Sequence, residues 1–103
     1  METTVERRGR NSFVSVSGRI TIDSSPDLRV LLLKQLKTTD CETLTVDLYG
    51  AAYMDVSGIA VLLEVLRAAH TARRAFHLSG LRDRPRFLLE ATRLLHLFQE
   101  APR

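Results

Sequence analysis

Residues 55–58 read Asp-Val-Ser-Gly and open an apolar run, "AAYMDVSGIAVLLEVLRAAH", that extends from residue 51 to residue 70. A carboxylate, a hydroxyl and a glycine at the mouth of a helix admit two chemistries. Asp55 is well placed to cap the helix, accepting from the amides of Ser57 or Gly58. The same free amides, at the positive end of the helix dipole, can hold an anion or a phosphate. Capping, with Gly58 permitting close backbone packing, and anion binding are both open to these residues.

The rest of the chain offers little reactive chemistry. "DVSG" lacks the Gly-x-Ser-x-Gly frame of a nucleophile elbow. His70, His77 and His96 fall on separate elements with no Cys or Glu at ligand spacing, so no metal is expected. The glycines are isolated and form neither a phosphate loop nor a dinucleotide fingerprint. Asp23, Asp47 and Asp55 are the acids that could converge, but Asp47 lies in a strand pattern and Asp55 has a capping role. Neither an enzyme nor a cofactor is expected. The net charge is +3, yet the arginines of "VERRGR", "RAAHTARR" and "LRDRPR" are mixed with acids, and there is no Trp to act as a stacking platform. Nucleic-acid binding is therefore not expected.

One domain covering 1–103 is expected, because a chain of 103 residues builds a single core. A single cysteine, Cys41, cannot form an internal disulfide and agrees with a reducing compartment. The N-terminus "METTVERRGR" lacks the apolar centre of a signal peptide, and no apolar run approaches the roughly 20 residues of a membrane span. A cytoplasmic protein without membrane insertion is the expectation.

The elements that must position Asp55 follow from periodicity. "TTVER" and "SFVSVSG" read as strands around a turn at Gly9 and Asn11, with Val14 and Val16 alternating against Ser15 and Ser17. At "SSP" the period changes: Ser25 suits the cap, Pro26 the first helical position and Asp27 the first turn. Leu28, Leu31, Leu32 and Leu36 then share a stripe. "TLTVDLYG" alternates as a strand, and the helix opened by Asp55 buries Ile59, Leu62, Leu63, Leu66 and Ala69. "AFHLSG" reads as a strand and "RDRPRFLLEATRLLHLF" as a helix with Phe87, Leu88, Ala91, Leu94 and Leu95 on one face. The tail adds a short edge strand or frays. Strands alternating with helices of this length imply a mixed sheet covered by helices.

The second helix is apolar beyond one stripe. Val61, Val65 and Ala68 fall outside the stripe drawn through Ile59 and Leu66, while Ala60, Glu64, Arg67 and Thr71 read as solvated. Either neighbouring helices cover this further face, or it is an exposed surface kept for a partner.

"TLTVDLYGAAYMDVSGIAVLLEVLRAA" resembles the central signature of STAS domains, in which a buried strand ending in Asp-Leu leads to an Asp-Ser-Ser-Gly-Leu type turn and an apolar helix. "VSVSGRITIDSSPDLRVLLLKQL" is similar to the family's early strand, loop and first helix, and "LRDRPRFLLEATRLLHLF" to its last helix and strand. The resemblance implies an α/β fold: a STAS-like mixed sheet of four to five strands covered by about three to four helices. It also implies a bacterial anti-sigma factor antagonist acting by partner switching, which binds an anti-sigma factor with serine kinase activity and so releases a sigma factor. In that family the kinase phosphorylates the hydroxyl residue directly after the turn aspartate, and the phosphate breaks the complex by charge and desolvation. Here that position is Val56. Either the switch is lost or it has moved to Ser57, which is the phosphorylation candidate. The early loop departs too, with Thr21 where many members carry an aspartate and Asp23 two residues on. The implied partner-binding residues are Thr21, Asp23, Ser24, Ser25, Asp55, Val56, Ser57, Gly58, Val61 and Val65. The resemblance also implies an alternative, a STAS accessory subunit of a lipid-transporting ABC system that docks on the transporter ATPase. A nucleotide-binding sensor is a third possibility, without a phosphate loop to support it.

Overall fold

A computed structural model describes residues 1–38 and 40–103. Alternation sets the strands: β1 (Glu2–Arg8) and β2 (Asn11–Ile20) form an antiparallel hairpin, and β3 (Thr43–Met54) and β4 (Ala75–Ser79) follow in parallel. The two-residue β5 (Gln99–Glu100) adds to β4, completing a five-stranded sheet in the order β1-β2-β3-β4-β5. The expected edge strand at the tail therefore forms. Parallel neighbours need crossovers, and these are α1 (Ser25–Leu36), α2 (Val56–Thr71) and α3 (Asp83–Ala91), the last followed by a 3-10 turn at Leu95–Leu97.

The sheet has a dry face and a polar one. Val14, Val16, Leu44, Val46, Leu48, Phe76 and Leu78 are buried with Leu28, Leu32, Leu62 and Val65 of the helices. On the other face Ser15, Asp47 and Ser79 pair across three strands. Two register shifts between β2 and β3, at Ser15/Ser17 and Gly18/Arg19, kink the end of β3 as bulges do. That strand consequently runs on to Met54 rather than ending near Gly50.

Three sequence expectations are corrected here. The α1 cap is Ser24 rather than Ser25, and Ser25 is buried inside the first turn. In α3 the buried residues are Pro85 and Leu89, whereas Phe87 is 60% exposed and Ala91 is exposed as well. That helix stops at Ala91, and Arg93 adopts φ 60°, so Leu94 and Leu95 reach the core from the turn beyond and not along a shared helical stripe. In α2, Val61 and Val65 are buried, Val65 completely. At 100° per residue the buried set Gly58, Ile59, Val61, Leu62, Val65 and Ala69 spans an arc of roughly 160° with Ala69 at its middle and Val65 well inside it. The packing reading of these valines holds, and they are not a free surface. Ala60, Glu64, Arg67 and Thr71 are the exposed side, as expected.

Candidate functional site

The end of β3 delivers Asp55 in an extended conformation, φ −101° and ψ −177°, where an N-cap residue belongs. One carboxylate oxygen, Oδ1, accepts from the Ser57 backbone N–H at 2.9 Å and from the Ser57 hydroxyl. The other, Oδ2, accepts from the backbone N–H of Ile22 at 3.1 Å, and the Asp55 N–H donates to the Ile20 carbonyl at 3.0 Å. Asp55 thus caps α2 and ties the loop after β2 to the turn after β3. The capping expectation holds, with the Ser57 backbone N–H as the donor to the Asp55 side chain and with the Gly58 N–H donating to the Asp55 backbone carbonyl at 3.0 Å.

The loop is braced from within. The Ser24 hydroxyl accepts from the Thr21 N–H at 2.9 Å and donates to the Arg19 carbonyl at 3.0 Å, and the Thr21 carbonyl accepts from the Ser25 N–H at 2.7 Å. Gly58 is needed for closeness: a Cβ there would lie 2.5 Å from Met54 Cγ and 3.0 Å from Ile20 Cγ2. The first turn of α2 therefore rests directly on the ends of β2 and β3. Farther along, Arg29 of α1 holds Glu64 of α2 through Nε at 2.8 and 2.9 Å and through a second guanidinium nitrogen at 2.6 Å. This two-pronged contact bridges the two helices on their exposed side.

The expected site residues separate by exposure. Asp23 and Val56 are exposed, Thr21, Ser24, Asp55 and Ser57 are half-buried, and Ser25, Gly58, Val61 and Val65 are buried. The last four act behind the surface and offer a partner nothing to touch. One residue escaped the sequence reading: Ile22 is 72% exposed beside Asp55, and Val56 is 68% exposed. The available signal was an isoleucine standing between Thr21 and Asp23 in an otherwise polar loop. A second exposed group, also missed, has the Arg19 guanidinium over Tyr53 at 4.3 Å and that of Arg84 over Tyr53 and Phe87 at 5.5 and 5.8 Å. Among the described residues no cluster of His, Cys, Asp or Glu could hold a metal ion. Asp47 does not converge with Asp55; it accepts from the Tyr49 N–H at 2.8 Å and from Arg103 Nε at 3.1 Å on the polar sheet face.

The Ser57 hydroxyl, together with the backbone N–H groups of Ser57, Ile22 and Gly58, holds the Asp55 carboxyl below its ordinary value of 3.8, against the opposing pull of burial. A carboxylate lowered by folding stabilises the fold above its unfolded value, and that contribution is lost as pH falls through the folded one. Asp55→Asn keeps a capping oxygen but does not titrate. It is expected to flatten the acid limb of stability below about pH 4, as read from urea midpoints across pH; an unchanged limb would show that other carboxylates set it.

The site is thus an α/β domain's helix N-terminus tied to a neighbouring loop, with exposed apolar residues on both sides of the tie. The chain belongs to the STAS domain family: the family model described as "Mlab, STAS domain" matches residues 3–99. Among solved structures it is similar to an anti-sigma factor antagonist from Mycobacterium paratuberculosis, at 22% identity over 99% of this chain and 86% of that one, with a TM-score of 0.88. A putative anti-sigma factor antagonist from Thermotoga maritima matches at 11% identity over 98% and 86%, TM-score 0.87. The Bacillus cell fate determinant SpoIIAA in its phosphorylated form matches at 14% over 97% and 91%, TM-score 0.76. Identities at this level establish the shared fold. No helix of the described residues is long and apolar enough to cross a membrane.

Proposed function

We propose that this domain is an anti-sigma factor antagonist that binds an anti-sigma factor with serine kinase activity, so that partner exchange releases a sigma factor. The observation that carries the reading is the Asp55–Ile22 tie, which joins the loop carrying the exposed Ile22 to the helix start carrying the exposed Val56. Desolvating two such side chains is worth about 1.5–3 kcal/mol each when complete, enough to anchor a small interface. Thr21 and Asp23 flank Ile22 in the chain and Asp55 and Ser57 flank Val56, supplying polar groups around each. The fold shared with anti-sigma factor antagonists supports the same reading.

The exchange proceeds without a phosphate at the family's usual place. Position 56 is the outward-facing first residue of α2 and carries no hydroxyl. Ser57, the remaining candidate, spends its hydroxyl on Asp55, and a phosphate there would set a dianion against that carboxylate. Release then depends on competition between partners.

The test is capture of the anti-sigma factor from its host's lysate by the tagged chain, followed by calorimetric titration and by incubation with ATP. Expected is a tight complex, an unmodified residue 55–67 peptide, and about 30-fold or greater weakening by Val56→Glu, as for a buried interface anchor, with an unchanged circular dichroism spectrum. Val56→Ser is expected to become phosphorylated and to release the partner. Phosphate on Ser57 of the unaltered chain would overturn the unswitched mechanism. Recovery of a transporter ATPase in place of an anti-sigma factor would overturn the function.

A further inference from the structure

The outermost strand, β1, is exposed at all seven residues. It pairs with β2 without a shift from Glu2↔Ser17 to Arg8↔Asn11, so its outer edge is a regular row of backbone donors and acceptors. An edge of this kind accepts another strand unless proline, a bulge or unmatched charge blunts it. Glu2–Arg8 contains no proline, its pairing has no bulge, and its charges are of both signs.

We propose that two copies of this chain join antiparallel through β1 across a two-fold axis, making one continuous sheet from two five-stranded ones. An axis perpendicular to the sheet keeps each side-chain face on its own side, so opposed residues must be of equal parity along the strand. The register that pairs all seven residues meets this condition. It sets Glu2 opposite Arg8 of the second copy at both ends, Thr3 opposite Arg7, Thr4 opposite Glu6, and Val5 opposite its own image on the axis. Val5, 44% exposed and paired with Val14 on the dry face, gains an apolar neighbour at the centre of the joint.

The neighbouring registers are disfavoured by the same residues. A slip of two positions one way opposes Glu6 to Glu6, and the other way Glu2 to Glu6, with strand ends left unpaired. Like charges directly opposed across strands destabilise the pairing while opposite ones support it, so the sequence of this edge selects one self-complementary alignment. Arg8 already lies on the face that this alignment needs, where it contacts Glu6 at 2.9 Å and the Phe13 ring at 5.3 Å.

The deciding experiment is sedimentation velocity of the full chain over a concentration series reaching about 1 mM, paired with amide exchange of β1. Expected is a mass rising from 11.6 kDa toward twice that value, with β1 amides slowing in step. Glu2→Arg and Arg8→Glu are each expected to weaken the dimer about tenfold, and the double variant Glu2→Arg/Arg8→Glu to restore it. A monomer at every concentration, a dimer with unprotected β1 amides, or a dimer that tolerates both single reversals would each overturn the proposal. So would protection of β1 that appears only when a different protein is added.

Discussion

Val65→Glu is expected to strip about 3–5 kcal/mol from the stability of the chain at pH 7, while Val56→Glu, on the same helix, leaves it nearly unchanged. Val65 has no exposed surface and lies inside the buried arc of α2. A carboxylate placed there has lost its water without gaining a cation, which costs on the order of 3–5 kcal/mol. A domain of this size has on the order of 5–15 kcal/mol in total, so in the less stable part of that range the loss removes most of the stability and brings the chain close to its unfolding midpoint. Far-ultraviolet circular dichroism and urea midpoints read the result. The sign of the pH response gives a second check: burial raises the carboxyl's folded value above its unfolded one, so the variant's deficit shrinks as pH falls toward about 4 to 5. A Val65→Glu protein that is as stable as the parent would mean that α2 does not pack as described.

Gly80→Ala is expected to cost about 3 kcal/mol and to lower the melting temperature by roughly 15 °C. Gly80 follows β4 with φ +66°, a conformation that disfavours any Cβ. The space is closed as well, since a Cβ would lie 2.4 Å from Asp47 Oδ1, 2.7 Å from Tyr49 Cβ and 2.8 Å from Tyr49 N. The backbone nitrogen belongs to the middle strand and cannot step aside. The side chain at risk is one whose bonds organise the polar face: Asp47 receives the Tyr49 N–H and Arg103, while Tyr49 lies 3.9 Å from the guanidinium carbons of both Arg82 and Arg103. Differential scanning calorimetry decides the matter, and a shift of only a degree or two would mean that β4 and β3 separate at little cost.

Much of this architecture is legible in the sequence because periodicity records burial. Val14 and Val16, Leu44 to Leu48, and Leu28 to Leu36 alternate or repeat as the sheet and first helix require, and Asp55 two residues before Ser57 is enough to place a cap. What the periodicity misplaces is the direction a helix faces. In α2 the apolar residues occupy so wide an arc that several stripes fit, and only the packing of α1 on one side and the sheet on the other places Val61 and Val65 inside the buried one. In α3 a backbone change at Arg93, which no residue type announces, divides a run of leucines between a helix and a turn. The site was half-visible for a related reason. Val56 follows from the motif, but Ile22 joins it only through a hydrogen bond across 33 residues, and local pattern carries no information about such a bond.

The tie between Ile22 and Asp55 also bears on the rate and tightness of recognition. Two segments distant in the chain are joined by the bonds from Ile22 N–H to Asp55 and from Asp55 N–H to Ile20, and the side chains they display are isoleucine and valine, whose branched β-carbons leave few rotamers to freeze. Immobilising a flexible side chain at an interface costs about 0.5–1.5 kcal/mol, and a surface made of stiff residues avoids most of that loss. Under the proposed function, a partner meeting this face would lose little side-chain freedom on it.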